Sequence, residues 1–168
     1  FNTMVFGNEQ NFNDQFIDDE GNKAYPSFDQ SSGWMAEQNK MLSLFTNKKI
    51  SLHSYVEPLY NLAEIKVLFN RYPEIAKYQI SCTHSMRKNR ENRWCLGCPM
   101  CAKAFLYLAA NGFNPKIVDF KANFFDEKYA NMYSLFNPNP MRAYEKPKAV
   151  RDEQLLAFYL SYKNGFKG

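Results

Sequence analysis

The sequence lacks a long apolar run, which argues against a membrane-spanning protein. Its best candidate, residues 102–110, is short and is interrupted by Lys103, whereas a spanning helix needs about 20 apolar residues. The first residues also lack the charged and apolar regions of a signal peptide. We therefore expect a cytoplasmic protein with no membrane partner.

The sequence also lacks a strong excess of charge. Its 21 basic and 17 acidic side chains leave a formal charge of +4, which permits an anionic ligand and makes nucleic acid a possible partner without requiring one. Hydrophobic residues make up 45% of the chain and aromatic residues 17%, so a buried core is expected. With 168 residues and no internal repeat, the chain is expected to form a single domain, residues 1–168.

Cysteine is absent outside one segment of twenty residues. Cys82, Cys95, Cys98 and Cys101 follow the pattern C-x12-C-x2-C-x2-C, which provides four soft ligands for tetrahedral Zn²⁺. Because no cysteine remains for a disulfide elsewhere, a reducing compartment is favoured. Four thiolates leave no coordination position for water, so the pattern predicts a structural zinc module over residues 82–101.

Other interpretations of the four cysteines remain open. An iron–sulfur cluster also takes four thiolates, and the thiols can instead be free or paired as disulfides. His84 can replace one thiolate, although a histidine two residues after a ligand is more often a neighbour. His53 lies far upstream and has no partner in sequence.

A basic segment lies between the first and second cysteines. Only Glu91 opposes its cations, which are Arg87, Lys88, Arg90 and Arg93. Because four thiolates around Zn²⁺ form a negatively charged site, nearby cations stabilise it. The same cations can instead contact phosphate on a nucleotide or a nucleic acid.

The spacing of apolar residues predicts strands that alternate with helices, and hence an α/β layout with a largely parallel sheet. We expect strands at 2–6, 50–56 and 78–82, and helices at 34–45, 61–72, 99–110, 126–136 and 152–162. Residues 10–32 are polar and predict a long loop, whose residues 29–32 either contact substrate or are mobile. Trp34 and the face of its helix that carries Phe45 are expected in the core.

Asn8 and Glu9 follow the first predicted strand. Open α/β sheets bind ligands beyond the carboxyl ends of their strands, so this amide and carboxylate are candidates for binding substrate or Mg²⁺. The alternative is a strand-ending turn with solvated side chains.

Several of these segments resemble the C-terminal half of the PP-loop ATP pyrophosphatases, which have a Rossmann-like (HUP) fold. The matching segments are residues 57–65 (EPLYNLAEI), Ser81-Cys82 and residues 94–101 (WCLGCPMC). The 7-cyano-7-deazaguanine synthases of this superfamily have a similar Pro-Leu helix start, a Ser-Cys pair and a zinc-binding C-x2-C-x2-C. A closer similarity, over residues 4–160, is to the UDP-N-acetylmuramoyl-L-alanyl-L-glutamate epimerase family, through Gly7-Asn8-Glu9, residues 94–101 and Lys146-Pro147.

This resemblance implies a function. It implies the C-terminal part of a parallel Rossmann-like sheet, structural Zn²⁺, and use of ATP and Mg²⁺ to adenylate the carboxylate of a small, nucleotide-linked anionic substrate. The sequence lacks the family's Ser-Gly-Gly-x-Asp-Ser phosphate loop; residues 29–33 read Asp-Gln-Ser-Ser-Gly. We therefore expect the N-terminal half of a longer polypeptide to supply that loop. The rival hypothesis is a non-catalytic zinc module that binds RNA or a protein partner.

Overall fold

The structure is a computed structural model that describes residues 2–82 and 93–167. The described residues form two compact units. The first unit comprises the residues up to Asn61 together with Pro140–Val150, and the second comprises Leu62–Asn139 and the residues from Arg151 onward.

The described elements mix strands and helices. The strands are β1 (Thr3–Phe6), β2 (Phe16–Ile17), β3 (Lys23–Ala24) and β4 (Ser51–Ser54). The α-helices are α1 (Ser32–Phe45), α2 (Asn61–Arg71), α3 (Pro73–Ala76), α4 (Pro99–Ala110) and α5 (Lys148–Lys163). In the described part of the chain, no helix combines the length and apolarity needed to cross a membrane.

The first unit contains a parallel strand pair joined through a helix. β1 pairs with β4 from Thr3 opposite Ser51 to Phe6 opposite Ser54, and α1 lies between them in the chain. The Asn39 side chain of α1 fixes the helix to β4, because its amide donates to Leu52 O at 2.9 Å and its oxygen accepts from Leu52 N at 2.8 Å. A mixed α/β fold with a small parallel sheet and flanking helices is thus confirmed.

The predicted loop over residues 10–32 contains short ordered elements instead. β2 and β3 form an antiparallel hairpin, whose turn is held by Asp18, since its carboxylate accepts from the backbone N–H of Glu20 and of Asn22. Two 3₁₀ helices flank the hairpin, Gln10–Asn13 and Phe28–Gln30. Ser31, predicted to contact substrate or to be mobile, is buried and caps α1 by accepting from Trp34 N at 3.2 Å.

The helix predicted at 34–45 is present, but its predicted core face is wrong. Phe45 is 83% exposed and Leu44 is 81% exposed, whereas Met35 is buried. Trp34 is half-buried and packs against Phe28 with ring centroids 5.7 Å apart.

The core of the second unit surrounds α4. Pro99 begins this helix, where its missing N–H is not needed, and Asn111 ends it. Nine of its twelve residues are buried, as expected of a helix that is apolar on nearly every side. Aromatic rings from later in the chain share its core, notably Phe120, Phe124 and Tyr133, and Phe105 of the helix contacts the first two.

Three expectations for the second unit need correction. Residues 79–82 have no strand assignment, so Cys82 is delivered by irregular chain. The helix expected at 126–136 is a 3₁₀ helix over Glu127–Met132. The last helix, α5, spans Lys148–Lys163 and is therefore longer than the expected residues 152–162. It carries the buried Glu153, whose carboxylate accepts hydrogen bonds from Tyr107 Oη and from Leu62 N, both at 2.8 Å.

Candidate metal centre

The Sγ atoms of Cys82, Cys95, Cys98 and Cys101 all lie within 4.8 Å of one another. Three of the separations are 4.0 Å for Cys82–Cys98, 3.7 Å for Cys95–Cys101 and 3.5 Å for Cys98–Cys101. A disulfide would bring two sulfurs to about 2.05 Å, and the four cysteines are free. The four sulfurs therefore face one common point without being bonded to each other.

These separations match the requirements of a single ion. Sulfurs placed tetrahedrally at about 2.3 Å from Zn²⁺ lie about 3.8 Å apart. The observed values of 3.5, 3.7 and 4.0 Å bracket this separation. The site can accept a tetrahedral metal with only small side-chain adjustments.

The start of α4 positions two of the four thiols. Cys98 is the N-cap residue, in extended conformation, and its carbonyl accepts from Cys101 N at 3.0 Å and from Ala102 N at 3.2 Å. Cys98 and Cys101 therefore lie on the same side of the first helical turn.

A tight turn returns Cys95 to this helix start. Leu96 has a left-handed backbone with φ of 55°, a conformation that costs about 1 kcal/mol or more for a residue with a Cβ. The Cys95 N–H donates to Cys82 Sγ at 3.4 Å. A backbone N–H pointing at a sulfur stabilises the thiolate form that a metal requires.

Two neighbours of Cys95 fix the segment that carries it. The guanidinium of Arg93 donates to Lys77 O at 2.6 Å and to Gln79 O at 2.8 Å. These two hydrogen bonds connect the irregular segment that leads to Cys82 with the segment that leads to Cys95. Trp94 is buried, and its indole N–H donates to Val118 O at 2.6 Å. In the sequence, the only sign of this role of Trp94 is that an aromatic residue directly precedes Cys95.

The thiols differ in acidity. The hydrogen bond between Cys98 and Cys101 lowers the pKa of Cys98 to about 5 and raises the pKa of Cys101. Loss of water around its sulfur raises the pKa of Cys95 to about 11. The cluster thus carries negative charge on Cys98 near neutral pH, and a bound cation must displace protons from Cys95 and Cys101.

The burial of the cluster favours a structural role over a catalytic one. Cys82, Cys98 and Cys101 are buried, and Cys95 is exposed. If all four thiolates bind one ion, no position is left for a water or a substrate. The arrangement can fasten three chain segments together, but it offers no site for Lewis-acid chemistry.

The other predicted site residues lie in the first unit. Asn8 and Glu9 follow the carboxyl end of β1, and the Asn8 carbonyl accepts from Ser54 Oγ, at the end of β4, at 2.6 Å. Glu9 precedes the 3₁₀ helix Gln10–Asn13, and its carbonyl accepts from Phe12 N. Both residues are partly exposed, and their role as ligands stays a prediction.

The remaining candidates are placed as follows. His53 is outside the cluster, and its Nε2 lies 3.0 Å from Ser51 Oγ. His84 and the basic residues Arg87, Lys88 and Arg90 lie outside the described residues.

Comparisons of the chain with protein-family models, with curated proteins and with solved structures found no match, so the resemblance to PP-loop enzymes stays a prediction.

Proposed function

We propose that Cys82, Cys95, Cys98 and Cys101 bind one structural Zn²⁺ ion that joins α4 to the irregular segment before it. The observation that carries this proposal is the mutual approach of all four Sγ atoms within 4.8 Å. In a small unit, the free energy of metal binding adds directly to folding stability.

Zinc is favoured over an iron–sulfur cluster by the short separations between sulfurs. A cluster places several iron and sulfide atoms between its cysteine ligands, and it therefore holds them farther apart than a single ion does. Separations of 3.5 to 4.0 Å suit ligands that share one metal. Free thiols also persist best in a reducing compartment, which supports a cytoplasmic location.

Metal analysis of the purified chain tests this proposal. We expect about one zinc per chain, a ratio set by four ligands per ion, and no visible absorption from iron and sulfide. Cys82→Ala should lose the metal, and Ser81→Ala, at the neighbouring position, should retain it. Stoichiometric iron with labile sulfide, or zinc retained by Cys82→Ala, would contradict the assignment.

We further propose that the chain is the C-terminal part of an ATP-dependent, AMP-forming enzyme that adenylates a carboxylate. The support is the motif resemblance to the UDP-N-acetylmuramoyl-L-alanyl-L-glutamate epimerases, together with the parallel pair β1–β4 and the turn Asn8-Glu9 at its carboxyl end. That end is where a Rossmann-like sheet binds its ligand. Asn8 and Glu9 would contact the small, nucleotide-linked anionic substrate.

The ATP site itself does not fit the residues of this chain. The sequence contains no Ser-Gly-Gly-x-Asp-Ser loop, and backbone amides of such a loop are what bind the pyrophosphate that leaves when AMP is transferred to the carboxylate. ATP and Mg²⁺ would therefore be bound by the N-terminal half of the same polypeptide. The zinc module would stabilise the second unit, to which its four cysteines belong, without entering the reaction.

Release of AMP and pyrophosphate by the full-length protein tests the enzymatic proposal. We expect release to depend on a UDP-linked muramoyl dipeptide. Dependence on a 7-carboxy-7-deazapurine and ammonium instead would favour a nitrile synthase. An absence of AMP release, combined with RNA or protein binding, would favour the non-catalytic module. Zinc content is measured separately, so either proposal can fail alone.

A further inference from the structure

A cavity of about 290 Å³ lies in the second unit, none of the four cysteines lines it, and four phenylalanine rings form part of its wall. Phe105 meets Phe120 edge-on with centroids 5.5 Å apart, and it meets Phe125 edge-on at 5.3 Å. Phe105 and Phe120 are buried, whereas Phe125 and Phe166 are partly exposed. A planar ligand can therefore stack on or abut aromatic surface that the fold already holds in place.

The rim of the same cavity is positively charged. Lys116, Lys121 and Lys167 line it and are exposed, and no aspartate or glutamate is among the lining residues. None of these three lysines forms a salt bridge within the described parts of the chain. Three cations without carboxylate partners, placed around an apolar wall, are complementary to an anion attached to a ring.

Backbone anchors hold the rim in position. Asn114 caps the 3₁₀ helix that carries Lys116, and its side chain accepts from Lys116 N at 3.0 Å. The Asn123 side chain accepts from Phe125 N at 3.1 Å and donates to Lys167 O at 3.3 Å. These bonds fix where Lys116 and Lys167 leave the backbone, so less order must be gained on binding.

We propose that this cavity binds a small aromatic anion, namely one planar ring system that bears a phosphate or a carboxylate. The ring contacts Phe125 and Phe166, and the anionic group faces Lys116, Lys121 and Lys167. A volume of about 290 Å³ lies at the lower end of ligand sites, which span about 300 to 1,000 Å³. The occupant is therefore a small molecule, and this site is additional to the metal centre and to the proposed substrate site.

Calorimetric titration of the zinc-loaded chain with 1-naphthyl phosphate tests the proposal. 1-Naphthol supplies the ring without the charge, and inorganic phosphate supplies the charge without the ring. We expect 1-naphthyl phosphate to bind at least about 10-fold more tightly than either fragment, because both halves of the cavity contribute. The double variant Lys116→Gln/Lys121→Gln should weaken binding by at least about 5-fold, since each lysine supplies an ionic contact.

Matched variants control for loss of charge and loss of aromatic surface. Lys163→Gln removes a positive charge outside the cavity, and Tyr162→Ala removes an exposed ring outside it; both should leave the affinity unchanged. Phe166→Ala should weaken binding of 1-naphthyl phosphate and leave the melting temperature nearly unchanged, because this ring is only partly buried.

Four results would overturn the proposal. These are equal affinity for 1-naphthol, equal affinity for inorganic phosphate, equal weakening by Lys163→Gln, and an absence of binding by all three ligands. A single-stranded oligonucleotide that binds more tightly than 1-naphthyl phosphate through the same lysines would replace the small molecule with a nucleic acid.

Discussion

The indole ring of Trp94 stacks on the ring of Phe120, with centroids 4.2 Å apart and planes inclined by 19°. Trp94 is adjacent in sequence to the metal-site residue Cys95, and Phe120 lines the lysine-rimmed cavity. One stacked pair therefore connects the two sites of the second unit. We therefore expect the order of the cavity wall to depend on the order of the cysteine cluster.

Removing the metal should weaken ligand binding in the cavity. Without a cation nothing joins the four thiols, so we expect the turn at Leu96 and the adjacent Trp94 to become less ordered. We expect chelator-treated chain to bind 1-naphthyl phosphate at least about 5-fold more weakly than zinc-loaded chain, a loss carried by reduced order of the wall. The measurement is calorimetric titration before and after zinc is restored.

A substitution in the cavity, with zinc affinity as the measurement, gives the control for this coupling. Phe166→Ala alters a lining residue other than Phe120, whose ring stacks on Trp94, so the zinc affinity of the variant should equal that of the parent chain. Equal affinity for 1-naphthyl phosphate in the zinc-loaded and chelated forms would show that the two sites are independent.

Trp94→Phe should destabilise the chain by about 1–3 kcal/mol, because it removes the indole donor and leaves the carbonyl of buried Val118 unpaired. The parent bond is 2.6 Å long, and both residues are fully or nearly fully buried. Urea unfolding followed by circular dichroism measures the change. Trp34→Phe is the matched control, since Trp34 is only half-buried, and it should cost less than about 1 kcal/mol.

Cys98→Ala should unfold the start of α4 locally. The variant removes a buried ligand, and the metal that orders this turn is then lost. Hydrogen exchange should accelerate at the amides of Cys101 and Ala102, which bond to the Cys98 carbonyl. The Leu52 amide in the first unit, which bonds to Asn39, should exchange as before. Unchanged zinc content and unchanged melting in Cys98→Ala would contradict a structural role for the metal.

Zinc affinity should rise steeply with pH. Cys95, with a pKa of about 11, and Cys101, whose pKa is also raised, are both protonated at pH 7 without metal, so each must release a proton. Cys98, with a pKa of about 5, is already ionised there. Affinity should therefore increase at least about 100-fold per pH unit between pH 6.5 and 7.5, one decade for each proton released.

Competition with a chromophoric chelator, corrected for the protonation of the chelator, measures this slope. Below about pH 5 Cys98 also takes up a proton, so the slope should become steeper. A slope of one decade per pH unit or less would mean that Cys95 and Cys101 are not the protonated ligands.

Elements with local signals could be predicted from the sequence. The bounds of α4 follow from Pro99 at its start and from Asn111-Gly112 at its end, where Gly112 adopts a positive φ of 80°. The approach of the four thiols follows from their spacing alone. Pro99, Asn111 and Gly112 lie at the ends of α4, and three of the thiols lie within residues 95–101, whereas Cys82 lies 13 positions before Cys95.

The remaining features depend on contacts between distant residues. Ser32, at the start of α1, donates from its backbone N–H and its hydroxyl to the Asn13 side chain, 19 residues earlier, and no local pattern reveals such a pair. The strand expected at 78–82 is absent from the described residues 78–82, because an alternating segment such as YQISC forms a strand only beside a partner strand. The cavity joins Phe105 to Lys167, a separation that the sequence does not reveal.

The exposure of β1 has a practical consequence for work with this chain. Met4, Val5 and Phe6 are all more than 40% exposed, although parallel strands are normally covered on both faces. Within the described residues, β1 pairs only with β4, so its other side presents amide and carbonyl groups to solvent beside apolar side chains. Such an edge favours strand-to-strand association between copies, and concentrated samples should aggregate there before either unit unfolds.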